Sequence, residues 1–230
     1  MAYYNYSVST KQGKFYLKSS EPKEGFVEVT YGEGKKTYHQ YIDSVKGIVK
    51  SFDTKEVEYQ GKKLRFLEVV LVDGADEHKI SVSLKNTKGG YTDEARTLIS
   101  AFKGLDKVGE PITVTPKKST YKNNRGEEKE NLNIYVNYIN ILGENGKGLS
   151  TGFINFKDIP SPIKKEVAGD VVYDWTPQTE FFYKEFLDIK ERFSGSTPNQ
   201  ASQAPNNTPT ASDFDMPNKN NQEAEEELPF

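Results

Sequence analysis

The 230-residue chain has no cysteine, only two methionines, two histidines and one tryptophan. The missing thiols exclude disulfides and thiolate zinc sites. With His39 and His78 as the only imidazoles, each among polar neighbours, a histidine-centred active site is poorly supplied. No stretch approaches the roughly 20 apolar residues that cross a bilayer. The start, MAYYNYSVST, has no basic region followed by an apolar run, and so does not read as a secretory signal. No GxSxG, Walker A or HExxH pattern appears, and close pairs among 34 carboxylates are expected by chance. The expectation is a soluble, non-enzymatic protein of the cytoplasm that needs no metal or cofactor.

What is present is aromatic and unevenly charged. The hydrophobic fraction is only 34%, yet there are 14 Tyr and 13 Phe. One part of the chain therefore has a core and another part lacks one. The whole chain carries 31 bases and 34 acids. Ser194 to Phe230 holds one of the bases (Lys219) and six of the acids (Asp213, Asp215, Glu223, Glu225, Glu226, Glu227), which leaves 30 and 28 for the body. A weakly basic body thus carries an acidic tail.

The composition changes at Ser194. SGSTPNQASQAPNNTPTAS cannot bury enough apolar surface to offset its ordering entropy and reads as a disordered tether. The expected organisation is a folded body over 1–193, a linker over 194–222 and an acidic tip over 223–230.

Within the body, alternation marks a strand over Val45 to Asp53, with Gly47 at a bend or bulge. Gly61 breaks the chain before a strand over Lys62 to Val72. Asp73-Gly74 turns it into a third, Glu77 to Leu84. Thr92 caps a helix whose Leu98, Ile99, Phe102 and Leu105 share a face, with Gly104 near its end. Further strands follow over Ile112 to Lys118 and Asn131 to Leu142. Three strands, a helix and two strands is the order of an OB-fold, a five-stranded barrel. The run Tyr3 to Tyr41 reads as extra N-terminal strands, and Gly152 to Trp175 as irregular. Thr176 to Phe193 reads as a C-terminal helix, capped by Thr176 with Pro177 in its first position.

The remaining signal is cations interleaved with aromatics. Lys46, Lys50 and Phe52 lie on the first strand, and Tyr59, Lys62, Lys63 and Arg65 around the following turn. Lys79 is on the third strand, and Lys117, Lys118, Tyr121, Lys122, Arg125 and Tyr135 cluster around the last turn. Bases stack on aromatic rings while cations track phosphates. An OB-fold binds through its second and third strands and through the loops joining strands one to two and four to five. Lysine-rich strand faces also arise simply because lysine keeps edges soluble.

The chain ends EAEEELPF. A barrel of this order, a Pro/Gln/Asn-rich linker, then acids and an aliphatic-Pro-Phe terminus resembles the bacterial and phage single-stranded DNA-binding proteins. Their tip usually runs Asp-Phe-Asp, further acids, then Ile-Pro-Phe. Here Asp213-Phe214-Asp215 stands apart from Glu225-Glu226-Glu227-Leu228-Pro229-Phe230, with Leu for Ile and Glu for Asp. The typical N-terminal strand motif of the housekeeping proteins is absent and the body is longer, which points to a divergent, phage-encoded member and leaves the oligomeric state open.

The resemblance implies sequence-tolerant binding of single-stranded DNA in replication, recombination and repair, in the host cytoplasm if the chain is phage-encoded. It also implies that Glu225 to Phe230 recruit other replication, recombination or repair proteins. Phe230 would enter an apolar pocket, with the glutamates steering the encounter. The alternatives are a protein-binding adaptor and an RNA-binding OB-fold protein.

Overall fold

A computed structural model describes residues 1–32, 34–86, 90–122, 126–167 and 170–194. The linker, the acidic tip and Arg125 lie outside the described residues. The chain splits into two compact units. The first comprises Met1–Leu17 and the chain from Ile42 onward; the described part of the second falls within Lys18–Tyr41.

The fold is mainly β. The N-terminal strands are β1 (Tyr3–Ser9), β2 (Lys14–Ser19), β3 (Val27–Tyr31) and β4 (Lys35–Ile42). The strands that follow are β5 (Val45–Tyr59), β6 (Lys62–Asp73), β7 (Asp76–Ser83), β8 (Pro111–Lys122), β9 (Glu128–Leu142) and β10 (Gly148–Ser150). A separate hairpin, β11 (Ile163–Val167) with β12 (Asp170–Asp174), precedes the second of two helices, α1 (Asp93–Lys103) and α2 (Thr176–Ser194).

In the first unit the strands form one sheet in the order β10-β9-β8-β5-β6-β7-β1-β2. Neighbours are antiparallel except β1 and β7, which pair in parallel from Tyr3↔Glu77 to Tyr6↔Ile80. A closed barrel was the sequence expectation, but no ladder joins β7 to β9 among the described residues, and the sheet is open there. The reason is β1, whose backbone takes the edge of β7 that a closing strand would need. In the second unit β3 and β4 form a hairpin, with Val27 opposite His39 and Tyr31 opposite Lys35.

The inner face of the sheet builds the core. Alternation sends Leu67, Val69 and Leu71 of β6, Ile112 and Val114 of β8, and Ile134 and Val136 of β9 to one side, all essentially without exposure. Leu98, Ile99 and Phe102 of α1 and Phe182, Phe186, Ile189 and Phe193 of α2 cover them. Thr92 caps α1 as expected, its Oγ1 accepting from the Ala95 N–H at 3.2 Å, and Gly104 ends it. The start of α2 differs from expectation. Thr176 is already helical, and the Asp174 carboxylate accepts its N–H at 3.0 Å. A carboxylate at a helix start also complements the helix dipole, so Asp174 does the task assigned to Thr176.

Gly47 is required for a closer reason than a bulge. Its φ is 149°, and a Cβ there would lie 2.8 Å from the Val72 carbonyl oxygen. The bulge itself falls between Val49 and Ser51, in the ladder with β6.

Candidate nucleic-acid interface

The long antiparallel ladder of β8 and β9 runs from Ile112↔Tyr138 to Lys122↔Glu128, well past the short stretch over which β8 also pairs with β5. Because side chains alternate, one register fixes two chemically different faces. The inner face carries Ile112, Val114, Leu132, Ile134 and Val136, and continues outward as Lys118, Thr120 and Lys122 opposite Leu132, Glu130 and Glu128. The outer face carries Thr113, Thr115, Lys117, Ser119 and Tyr121 from β8. From β9 it carries Lys129, Asn131, Asn133, Tyr135 and Asn137.

No carboxylate stands on that outer face, whereas Glu128 and Glu130 both point to the other side. β5 extends it with Lys46, which pairs with Thr113 and is exposed. The face therefore presents three cations, Lys46, Lys117 and Lys129, among hydroxyls, carboxamides and two phenol rings. Glu127, in the turn, reaches Lys129 at 3.5 Å.

Hydrogen bonds hold the polar side chains in place. Asn133 Nδ2 donates to Ser119 Oγ at 3.1 Å, and Asn131 Nδ2 donates to Asn133 Oδ1 at 3.4 Å. Beyond them the half-buried Tyr135 ring meets Phe153 edge-to-face, with centroids 5.4 Å apart at 84°. The segment carrying Phe153 is pinned on both sides. The Thr151 N–H donates to the Val136 carbonyl at 3.0 Å, and the Ile154 N–H donates to Ser100 Oγ of α1 at 2.9 Å. Phe153 keeps 44% of its surface exposed, and Phe156 nearby in sequence keeps 85%. Two rings that support each other, one of them 44% exposed, on a face that also carries cations are what a nucleobase and its phosphate can use.

Of the residues expected from sequence to bind, Lys46, Lys117, Tyr121 and Tyr135 come together on this face. The others divide by location. Phe52 is a correction: at 2% exposure it packs on Phe102 at 5.1 Å and Phe186 at 5.9 Å, so its ring is unavailable for stacking. Lys79 is corrected as well. It is 6% exposed, its Nζ lies 3.2 Å from Glu68, and the Tyr3 ring covers it at 5.8 Å. Burial pulls its pKa down, but the Glu68 carboxylate and the Tyr3 phenol together outweigh burial and raise it, so its charge is held internally.

Lys50 is ion-paired with Glu77, and Lys118 lies on the inner face, paired with Glu130 and capping the Lys11 carbonyl at 3.4 Å. The turn that supplies that carbonyl packs tightly on β8. Gly13 has a φ of 63°, and a Cβ there would lie 2.7 Å from the Lys118 nitrogen. Lys122 is exposed on the same inner side, opposite Glu128.

The other expected cluster sits at the far end of the β5–β6 hairpin, whose turn is Gln60-Gly61. β8 leaves its pairing with β5 in the opposite direction, so the ladders do not join the two turns. Tyr59 and Lys62 face each other there, while Lys63 and Arg65 both engage Glu56, at 3.0 and 2.8 Å. Hydrogen bonds from Arg65 and then Lys63 lower the Glu56 pKa, which keeps the carboxylate ionised between its two cations.

Sequence reading missed Lys129, the carboxamide ladder and Phe153. The run GFINFKD carried an aromatic signal, but its segment looked irregular and had no evident strand to lean on.

Among the described residues no group of His, Asp and Glu could hold a metal ion, and no helix is long and apolar enough to cross a membrane. Comparison of the chain with family models, with curated proteins and with solved structures finds no match in any of the three.

Proposed function

We propose that this chain binds single-stranded DNA with little sequence preference, as a non-catalytic protein, through the outer face of β8 and β9. The observation that carries the reading is a β8–β9 face with no carboxylate at its ladder positions, on which Lys117, Tyr121, Lys129 and Tyr135 stand, extended by Lys46 of β5 and by Phe153. Cations at strand spacing attract a polyanion, rings take the bases, and the asparagines and hydroxyls offer hydrogen bonds that suit any base.

The topology supports the same reading. The neighbour order β9-β8-β5-β6-β7, with α1 between the third and fourth of these strands in sequence, is the order an OB-fold would have if its barrel were opened at one seam. The acidic terminus supports a second role in which Leu228-Pro229-Phe230 recruit replication, recombination or repair proteins while the body holds DNA. Binding in this scheme is electrostatic plus stacking.

The test is fluorescence anisotropy of labelled oligo-dT with the full chain at low and high salt. Saturable binding that weakens with salt is expected. No binding at micromolar protein in low salt would remove the DNA reading and leave a protein-binding adaptor. Preference for oligo-U over oligo-dT in competition would make RNA the ligand.

A further inference from the structure

A second group of cations and rings lies on the helix-bearing side of the sheet. After β7 the chain folds back on itself. Asn86 N–H donates to the Gly90 carbonyl at 2.9 Å, Gly90 N–H donates to Asn86 Oδ1 at 3.0 Å, and Lys85 bridges Tyr91. The fold-back places Lys85 Nζ over the Tyr91 ring, 4.3 Å from its centroid. Tyr91 is held from behind by Phe182 of α2, at 6.0 Å. Across the ladder, the Leu84 N–H donates to the Arg65 carbonyl at 2.8 Å, which sets Arg65 beside the same spot. By alternation Arg65 shares the face of Leu67 and Val69, opposite the outer face.

The chain's one tryptophan stands at this place. A Cβ on Gly90 would lie 3.9 Å from Cβ of Trp175. Tyr173, half exposed, lies 6.5 Å from the Trp175 ring and pairs in register with the exposed Lys164. Among the described residues Lys85 and Lys164 make no ion pair, and Glu56 meets Arg65 through Nε at 2.8 Å. Arg65 has Glu56 as its partner, whereas Lys85 stands beside the Arg65 charge and over the buried Tyr91 ring with no carboxylate of its own among the described residues, a place that favours a further anion. Burial, and then the Arg65 charge, accordingly lower the Lys85 pKa.

We propose that Arg65, Lys85, Tyr91, Tyr173, Trp175 and Lys164 form a nucleotide subsite. The guanidinium and ammonium groups take a phosphate, and the Trp175 and Tyr173 faces take a base. The subsite does not depend on the β8–β9 reading, since its residues, its face and its supporting helix are different. Its ligand chemistry, a phosphorylated nucleoside, can arrive as a free nucleotide or as part of a bound strand.

Because Trp175 is the sole tryptophan, its emission reports this place alone. The full chain is titrated with thymidine monophosphate and, separately, with oligo-dT. Saturable quenching is expected. A response to the mononucleotide identifies a free-nucleotide site, and a response to oligo-dT alone identifies an extension of a strand path. Lys85→Glu is expected to weaken the quenching titration at least about tenfold, and Tyr173→Ala by about five- to a hundredfold. Both side chains are partly or half exposed, so thermal melting is expected to show intact folds.

The proposal is overturned if neither probe alters Trp175 emission, or if quenching survives both substitutions undiminished. Oligo-dT binding seen by anisotropy without a Trp175 response removes this subsite and leaves the β8–β9 reading standing. Mononucleotide quenching without oligo-dT anisotropy does the reverse.

Discussion

Replacing Lys117 by alanine and, separately, Lys118 by alanine separates the proposed interface from a merely basic hairpin. The two lysines are adjacent in sequence but stand on opposite faces of β8. Lys117 is exposed on the outer face opposite Asn133; Lys118 is paired with Glu130 and the Lys11 carbonyl on the inner one. For single strands each neutralised phosphate contributes about 0.7 to the slope of log affinity against log salt. Lys129 is engaged by Glu127, so the two remaining outer-face cations, Lys46 and Lys117, predict a slope near −1.4, or about a sevenfold loss between roughly 50 and 200 mM salt.

Removing Lys117 alone should lower the slope by about 0.7, cutting the salt-dependent loss by a factor of about 2.6. Lys118→Ala should leave the slope unchanged, since its charge is already engaged. The assay is oligo-dT anisotropy across a salt series for the three proteins. Equal slopes for both variants, or a larger change for Lys118→Ala, would refute the assignment of faces.

Phe52→Ala should destabilise the fold by about 3–5 kcal/mol in urea denaturation, because its ring is packed between Phe102 and Phe186, while oligo-dT affinity below the transition stays unchanged. Gly47→Ala should cost roughly 1–3 kcal/mol by the same assay, since the backbone is left-handed there and the Val72 carbonyl stands in the way. Alkali should weaken the fold through Tyr6 and Tyr91, whose pKa values burial pushes up to about 12 from 10.0. The unfolded chain loses those protons first, so their contribution is complete below pH 10 and is lost as pH rises toward 12. Urea midpoints measured across that range should fall, and a flat profile would show that neither phenol is buried in solution.

The fold was legible where one face is buried. Leu67, Val69 and Leu71, or Ile134 and Val136, announce their strands because alternation and burial coincide. Strand ends were not, because β5 beyond Lys55 and β8 beyond Lys118 run out as two-stranded arms with no buried residue on either face. There no buried face imprints a period. The hairpin of β11 and β12 was hidden for the same reason: Ile163, Val171, Val172 and Tyr173 are all about half exposed. The parallel pairing of β1 with β7, which leaves the sheet open, is a choice between distant edges that no local pattern records.

The site was half legible. Lys117, Tyr121 and Tyr135 follow from their place around one turn, but which face each occupies depends on the register with β9. Lys79 reads as an exposed strand lysine until Glu68 appears as its neighbour on β6. Phe52 was misread because a core ring at the end of a buried stretch looks like a surface ring at the start of an exposed one.

The central claim is that the strand lies on the outer face of β8 and β9. Ultraviolet cross-linking of the full chain to oligo-dT, followed by mass spectrometry of the peptides, tests it most directly. The account predicts nucleotide adducts on Tyr121, Tyr135 and Phe153; adducts formed elsewhere on the chain, with none on these three rings, would contradict it.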